Sequence, residues 1–153
     1  MSHSPNKPKR IHFLGIGGSG MSGLAEVLIN MDFEVSGVDL IETEVTQRLE
    51  SLGAKIYLGH KKSNINNTDM LIVSSAIDSE NEELIEAKKR NLPILARAEL
   101  LSSLMNLKKG IAIAGTHGKT TTTSILAQIM TDSDLEPTFI TGGIINSLQQ
   151  MQS

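Results

Sequence analysis

Twice in this sequence an apolar run ends in a cluster of glycines, and each time a helical pattern follows. Ile11–Leu14 leads into Gly15-Ile16-Gly17-Gly18-Ser19-Gly20, and Ile111–Ala114 leads into Gly115-Thr116-His117-Gly118-Lys119-Thr120-Thr121. A buried strand, a glycine-rich turn and a helix form the opening unit of a parallel α/β fold. The apolar runs are continuous and do not alternate with polar residues, the pattern of strands covered on both faces. That combination leaves little room for an all-helical bundle or an antiparallel sandwich.

The rest of the chain keeps the alternation. Strands are expected over 11–14, 34–39, 55–58, 69–75 and 93–96. Between them come a helix over 21–31, with Leu24, Val27, Leu28 and Met31 at helical spacing, and a second marked by Val45, Leu49 and Leu52 and stopped by Gly53. Ser79-Glu80-Asn81-Glu82 has the form of a capping box, so a third helix is expected from there to about Asn91. A fourth is expected over 99–105, and 59–67 reads as a polar loop. Residues 11–107 then make a Rossmann-like doubly wound parallel sheet, and residues 1–10 a disordered basic tail. Residues 108–153 form one further unit: a strand from Ile111, a helix to about Asp132 and a strand over 138–141. Two strands and one helix bury too little apolar surface to stand alone. The chain is therefore expected to be the front part of a longer protein, unless the unit adds its strands to the first sheet.

Composition excludes several function classes. A net charge of -3 and an aromatic share of 3% argue against a nucleic-acid partner. The absence of cysteine excludes disulfides and thiolate metal sites, and fits a cytoplasmic setting. No stretch has the length and apolarity of a membrane span or the layout of a signal peptide.

Each glycine cluster has its own chemistry. Gly15-x-Gly17-x-x-Gly20 lets the backbone turn tightly, approach a pyrophosphate and start a helix whose free N–H groups face it. Gly18 and Ser19 complete that loop. Asp39 ends the second strand, where an acid can bond a ribose hydroxyl. The pattern does not separate NAD, FAD and a UDP-sugar, and a nicotinamide-dependent oxidoreductase stays open on these residues alone. The second cluster retains Gly115-x-x-Gly118-Lys119-Thr120 of a Walker motif but has Ile113 where the first glycine belongs. Backbone N–H groups from Gly115 through Thr116, His117 and Gly118 to Thr121 would cradle the phosphates of ATP. Lys119 would sit at the β- and γ-phosphates, and the Thr120 hydroxyl, with Thr121 in reach, would meet Mg2+. His117 either touches the nucleotide or faces solvent.

Six segments together resemble the Mur ligase family. They are His12–Ala25, Val35–Asp39, Leu58–His60, Val73–Ile77, Arg97–Leu101 and Ala114–Thr123. The resemblance is strongest to the branch that joins L-alanine to UDP-N-acetylmuramate in peptidoglycan biosynthesis. A branch that joins a recycled peptide to the same sugar remains the alternative. That family's P-loop also lacks the first Walker glycine. The resemblance implies a UDP-sugar domain, an ATP domain and an amino-acid domain, in that order. It moves the first loop from a dinucleotide to the UDP-sugar diphosphate, and sets Asp39, Ser74, Ser75 and Ala76 at the uridine end. His60 and Arg97 become candidate substrate contacts, against the plainer readings that His60 ends a strand and Arg97 pairs with Glu99 or solvent. The family usually has Ser-Asp where this chain has Val38-Asp39. After Asn146 it continues into acidic metal-binding residues that Ser147–Ser153 do not match. The resemblance thus implies an intact sugar site, an incomplete ATP site, no alanine site, and no catalysis by this chain alone.

Overall fold

The computed structural model describes residues 9–107 and 109–140. Its centre is one five-stranded sheet: β1 (Arg10–Leu14), β2 (Glu34–Asp39), β3 (Lys55–Leu58), β4 (Met70–Val73) and β5 (Ile94–Ala96). The order is β3-β2-β1-β4-β5 and every pairing is parallel. Parallel neighbours need long crossovers, which α1 (Met21–Asn30), α2 (Glu44–Ser51) and α3 (Glu82–Lys89) supply. α4 (Arg97–Leu107) follows β5 directly, and α5 (Lys119–Asp132) follows the second glycine cluster.

The sheet is covered on both faces, as continuous apolar strands require. On one face Ile11 and Phe13 of β1, Val35 of β2 and Ile72 of β4 pack with Met21, Leu24, Ala25 and Leu28 of α1, Leu49 of α2 and Leu100 of α4. On the other, Leu14, Val38 and Leu71 pack with Leu84 and Ala87 of α3 and with Ile65. Ile65 belongs to a short 3-10 turn, Lys62–Ile65, inside the segment expected as a plain loop. β1 lies in the middle and is buried from Ile11 to Leu14.

The structure corrects the sequence reading at several points. Arg10 is not tail: it opens β1 and donates from Nη2 to Asp69 Oδ1 at 2.8 Å. That hydrogen bond and charge hold the Asp69 carboxyl at about 2. Residues 1–8 lie outside the described residues. Helix α3 starts later than the Ser79–Glu82 pattern implied, because Asn81 is its cap, accepting from the N–H groups of Glu83 and Leu84. Helix α4 begins at Arg97, not Glu99, and Glu99 accepts from the Ala96 N–H at 2.7 Å.

The larger correction concerns the second unit. Its helix is present as α5, but Ile111–Ala114 and Thr138–Ile140 are not strands, and they add nothing to the sheet. A strand exists only against a partner that satisfies its N–H and C=O groups, and among the described residues none lies beside either segment. Ile111 is 65% exposed. Thr141, the last residue of the second expected strand, lies outside the described residues. Phe139 is buried and Ile140 packs on the first core cluster.

Candidate functional site

At the carboxyl end of β1 the chain turns through Gly15 and Gly20, both left-handed at φ +79° and +78°. L side chains rarely adopt that conformation. A Cβ on Gly20 would also stand 2.9 Å from Nη1 of Arg97, so the Arg97 guanidinium lies directly over the loop. A Cβ on Gly15 would stand 3.4 Å from Cβ of Ser74, which brings the Ser74-Ser75-Ala76 turn against the same loop. Ser74 accepts from the Ala76 N–H at 3.3 Å, and Ser75 and Ala76 are exposed. Asp39, at the end of β2, accepts from the Gly17 N–H at 2.8 Å and from the Leu40 N–H at 2.8 Å. Gly15–Gly20, Asp39, Ser74–Ala76 and Arg97 therefore meet at the carboxyl edge of the sheet. β1 and β4 flank the point where strand order reverses, the position at which open parallel sheets bind ligands.

The helix that leaves this loop is electrostatically unlike its neighbours. Gly20 is the N-cap of α1, no side chain caps it, and its first turn holds no acid. In contrast, α2 is capped by Thr43 and carries Glu44, and α3 is capped by Asn81 and carries Glu82 and Glu83. A helix N-terminus bears roughly half a positive charge and up to four unsatisfied N–H groups. In α2 and α3 side chains supply the compensating oxygens; in α1 the Met21 and Ser22 N–H groups turn back to the Gly18 carbonyl and no acid balances the dipole. Arg97 adds a full charge there, and Glu99, its expected partner, is held by Ala96. The arrangement suits a diphosphate.

The second glycine cluster repeats the device. Gly118 caps α5 at φ +76° with no side-chain bond, and the first turn is again free of acids. Lys119 folds back and donates from Nζ to the Gly115 carbonyl at 2.5 Å, closing the loop. The hydroxyls of Thr123 and Ser124 donate to the Lys119 and Thr120 carbonyls, whereas Thr120 and Thr121 make no such bond. Residues 114–122 are exposed, Thr116 and His117 among them. The cradle fits nucleotide phosphates. For a divalent cation it offers two hydroxyls, and among the described residues no group of three or more His, Cys, Asp or Glu side chains could hold a metal.

His60 is set behind the first loop. The Gly59 N–H donates to the Asp39 carbonyl at 2.8 Å, tying the turn after β3 to the end of β2. Nδ1 of His60 stands 3.5 Å from Oε1 of Glu83. Glu83 is fully buried, and so is His12. His12 Nε2 meets Glu83 Oε2 at 3.0 Å and its Nδ1 meets Ser36 Oγ at 2.8 Å. The Lys61 N–H and the Asn64 amide donate to Oε1 at 2.9 and 2.8 Å. Burial alone would raise the Glu83 carboxyl, but these donors outweigh it and hold it below the usual range. An ionised carboxylate only accepts, so His12 carries its hydrogen on Nε2, and Nδ1 can take the Ser36 hydroxyl. Sequence reasoning missed this cluster. Its one signal was His12, a titratable side chain inside an apolar strand, and Glu83 could not be paired with it before the fold was known.

A family model described as the Mur ligase family, catalytic domain, matches residues 10–109. The UDP-N-acetylmuramate–L-alanine ligase of Geotalea uraniireducens is 53% identical over 142 residues, 93% of this chain and 31% of that protein. The same-named enzyme of Buchnera aphidicola subsp. Acyrthosiphon pisum is 55% identical over 145 residues, 95% of this chain and 30% of its own. Among solved structures, UDP-N-acetylmuramate-alanine ligase MurC from Thermotoga maritima superposes with TM-score 0.82 at 35% identity, over 90% of this chain and 32% of that one. The UDP-N-acetylmuramate:L-alanyl-gamma-D-glutamyl-meso-diaminopimelate ligase of Neisseria meningitides gives 0.81 at 32% identity, over 90% and 44%. The chain thus spans about a third of the length of the curated relatives it matches.

Proposed function

This chain belongs to the Mur ligase family, and on that premise we propose that it is the N-terminal portion of a UDP-N-acetylmuramate–L-alanine ligase. Residues 11–107 form the UDP-sugar-binding domain, and residues 108–153 begin the ATP-binding domain. One observation carries the reading: α1 and α5 both start at an uncapped glycine with no acid in the first turn, one beneath Arg97 and the other with Lys119 in its own loop. A nicotinamide enzyme needs only the first of these.

In this reading the N–H groups at the start of α1 and the Arg97 guanidinium hold the UDP-sugar diphosphate. Asp39, His60 and the Ser74–Ala76 turn face its uridine end. At α5 the phosphates of ATP lie along Gly115–Thr121, where Lys119 must leave the Gly115 carbonyl to reach the β- and γ-oxygens. Mg2+ bound at the Thr120 hydroxyl, with Thr121 in reach, would neutralise developing phosphate charge. The whole enzyme transfers the γ-phosphoryl group to the lactyl carboxylate of UDP-N-acetylmuramate, releasing ADP. The amine of L-alanine then attacks the acyl carbon and displaces phosphate, forming the amide. Lys119 stabilises charge during the first step. A cytoplasmic location suits this ATP-dependent chemistry.

Both structural relatives above fit this fold equally well, one adding alanine and the other a peptide. The relatives at 53–55% identity support alanine. The test is thermal unfolding with UDP-N-acetylmuramate, MgATP or NADH, since a ligand selective for the folded state raises its stability. A rise with the UDP-sugar supports the proposal; a rise with NADH and none with the UDP-sugar overturns it.

A further inference from the structure

Glu83 reaches His60 from another element, and that contact has no part in the site as described. Nδ1 of His60 is buried without a hydrogen-bond partner, 3.5 Å from Glu83 Oε1. The carboxylate itself is fixed from three sides, by His12 on β1 and by Lys61 and Asn64 near the 3-10 turn. Oε1 already accepts from Lys61 and Asn64, and Nδ1 of His60 faces that same oxygen as a third, longer contact. Because the carboxylate can only accept, the nitrogen facing it is the one that carries hydrogen. Among the described residues no hydrogen bond reaches Nε2, and the side chain is 19% exposed, so Nε2 is left as an acceptor. The ring cannot drift far: Gly59 is bonded to the Asp39 carbonyl and accepts from the Asn64 amide at 3.2 Å.

We propose that Glu83 is a positioning residue that holds His60 as the Nδ1–H tautomer, so that Nε2 accepts a hydrogen bond from an N–H or O–H of the nucleoside part of the ligand. The ligand half of this inference rests on the UDP-sugar reading; the tautomer half does not. The 3.5 Å separation is long for a hydrogen bond, and seating the nucleoside against Nε2 closes it. Asn64, Ser36 and His12 keep the carboxylate in place and touch no ligand.

The test uses the 153-residue chain labelled with 15N histidine, and UDP as the probe. Glu83→Gln keeps the shape and, with its oxygen toward Lys61, Asn64 and His60, its amide donates to His12 once that ring moves its hydrogen to Nδ1; the charge facing His60 is lost. The nitrogen shifts of neutral His60 are expected to report Nδ1–H in the parent chain and a clearly larger Nε2–H share in Glu83→Gln. By calorimetry UDP should bind about fivefold to tenfold more weakly to Glu83→Gln, the scale of one neutral hydrogen bond. His60→Ala should lose a similar factor, and the double variant no more than His60→Ala alone. An Nε2–H ring in the parent chain, or losses that multiply in the double variant, would overturn the proposal. A parent chain with the Nδ1–H ring that fails to bind UDP would overturn the UDP-sugar reading and the ligand role with it, while Glu83's hold on the ring would stand.

Discussion

Arg97 is an exposed guanidinium with no ion pair among the described residues, parked over the one glycine in the loop whose Cβ would strike it. The cost of that placement is small, and the gain comes only when an anion arrives. Arg97→Ala should therefore leave the melting temperature nearly unchanged and weaken UDP-N-acetylmuramate binding by about 1.5–3 kcal/mol, the range for a hydrogen bond to a charged group; calorimetry measures it. Glu83 predicts the opposite balance. Glu83→Ala strands the donors of His12, Lys61 and Asn64 in the interior and should cost about 3–5 kcal/mol in chemical denaturation. Its pH dependence has a fixed sign. The native carboxyl sits below its unfolded value near 4.5, so the unfolded chain binds the proton more readily. The stabilisation is present above pH 4.5 and lost as pH falls through the lower native value. A parent chain whose stability is flat below pH 4.5, or equally steep in Glu83→Gln, would contradict this. The glycine loop was legible in the sequence as a spacing, and Arg97 came into view as a candidate through the resemblance carried by Arg97–Leu101. Glu83 was not legible, because its partners come from β1 and from residues 60–64, both far from it in the chain.

Helices α1 and α5 differ from α2 and α3 in what they lack. A Thr or Asn cap and an acidic first turn make a helix start self-sufficient; a glycine cap with no acid leaves its dipole open to an anion. That contrast was half visible beforehand. The glycines stood out, but the Asn81 cap was hidden behind a Ser79–Glu82 pattern that fits the same rule two residues too early. The strands of the first sheet were legible because each apolar run has neighbours of the same kind. Ile111–Ala114 has the same local pattern but no paired strand among the described residues, and pattern alone cannot report pairing. One element joins fold and site with unusual directness. Gly37, inside β2, faces Ile16 of the glycine loop, and a Cβ there would stand 2.5 Å from Ile16 Cδ1 and 2.6 Å from its Cβ. Ile16 is fully buried and cannot swing away. Gly37→Ala should destabilise the chain by about 1–3 kcal/mol through overpacking and weaken sugar binding too, because Ile16 lies between Gly15 and Gly17. Loss of stability in denaturant with unchanged affinity would show that the loop tolerates the shift.

At the scale of the molecule, the parallel sheet gathers every predicted residue of the first site at one edge. β1 delivers Gly15–Gly20, β2 Asp39, β3 the turn bearing His60, β4 Ser74–Ala76 and β5 Arg97. Five strands with a single direction are sufficient to do this, because every carboxyl end then points the same way. The second site depends on α5 alone, and its exposed Ile125 and Ile129 show a helix with little of the chain packed on it. On the proposed function, UDP-sugar binding belongs to the first loop. The most direct test is an amide shift map of the chain titrated with UDP-N-acetylmuramate. The largest changes are expected at Gly17–Ser22, Ser74–Ile77 and His60, with α5 unmoved. Changes confined to Gly115–Thr123, or no saturable change at the first loop, would contradict it.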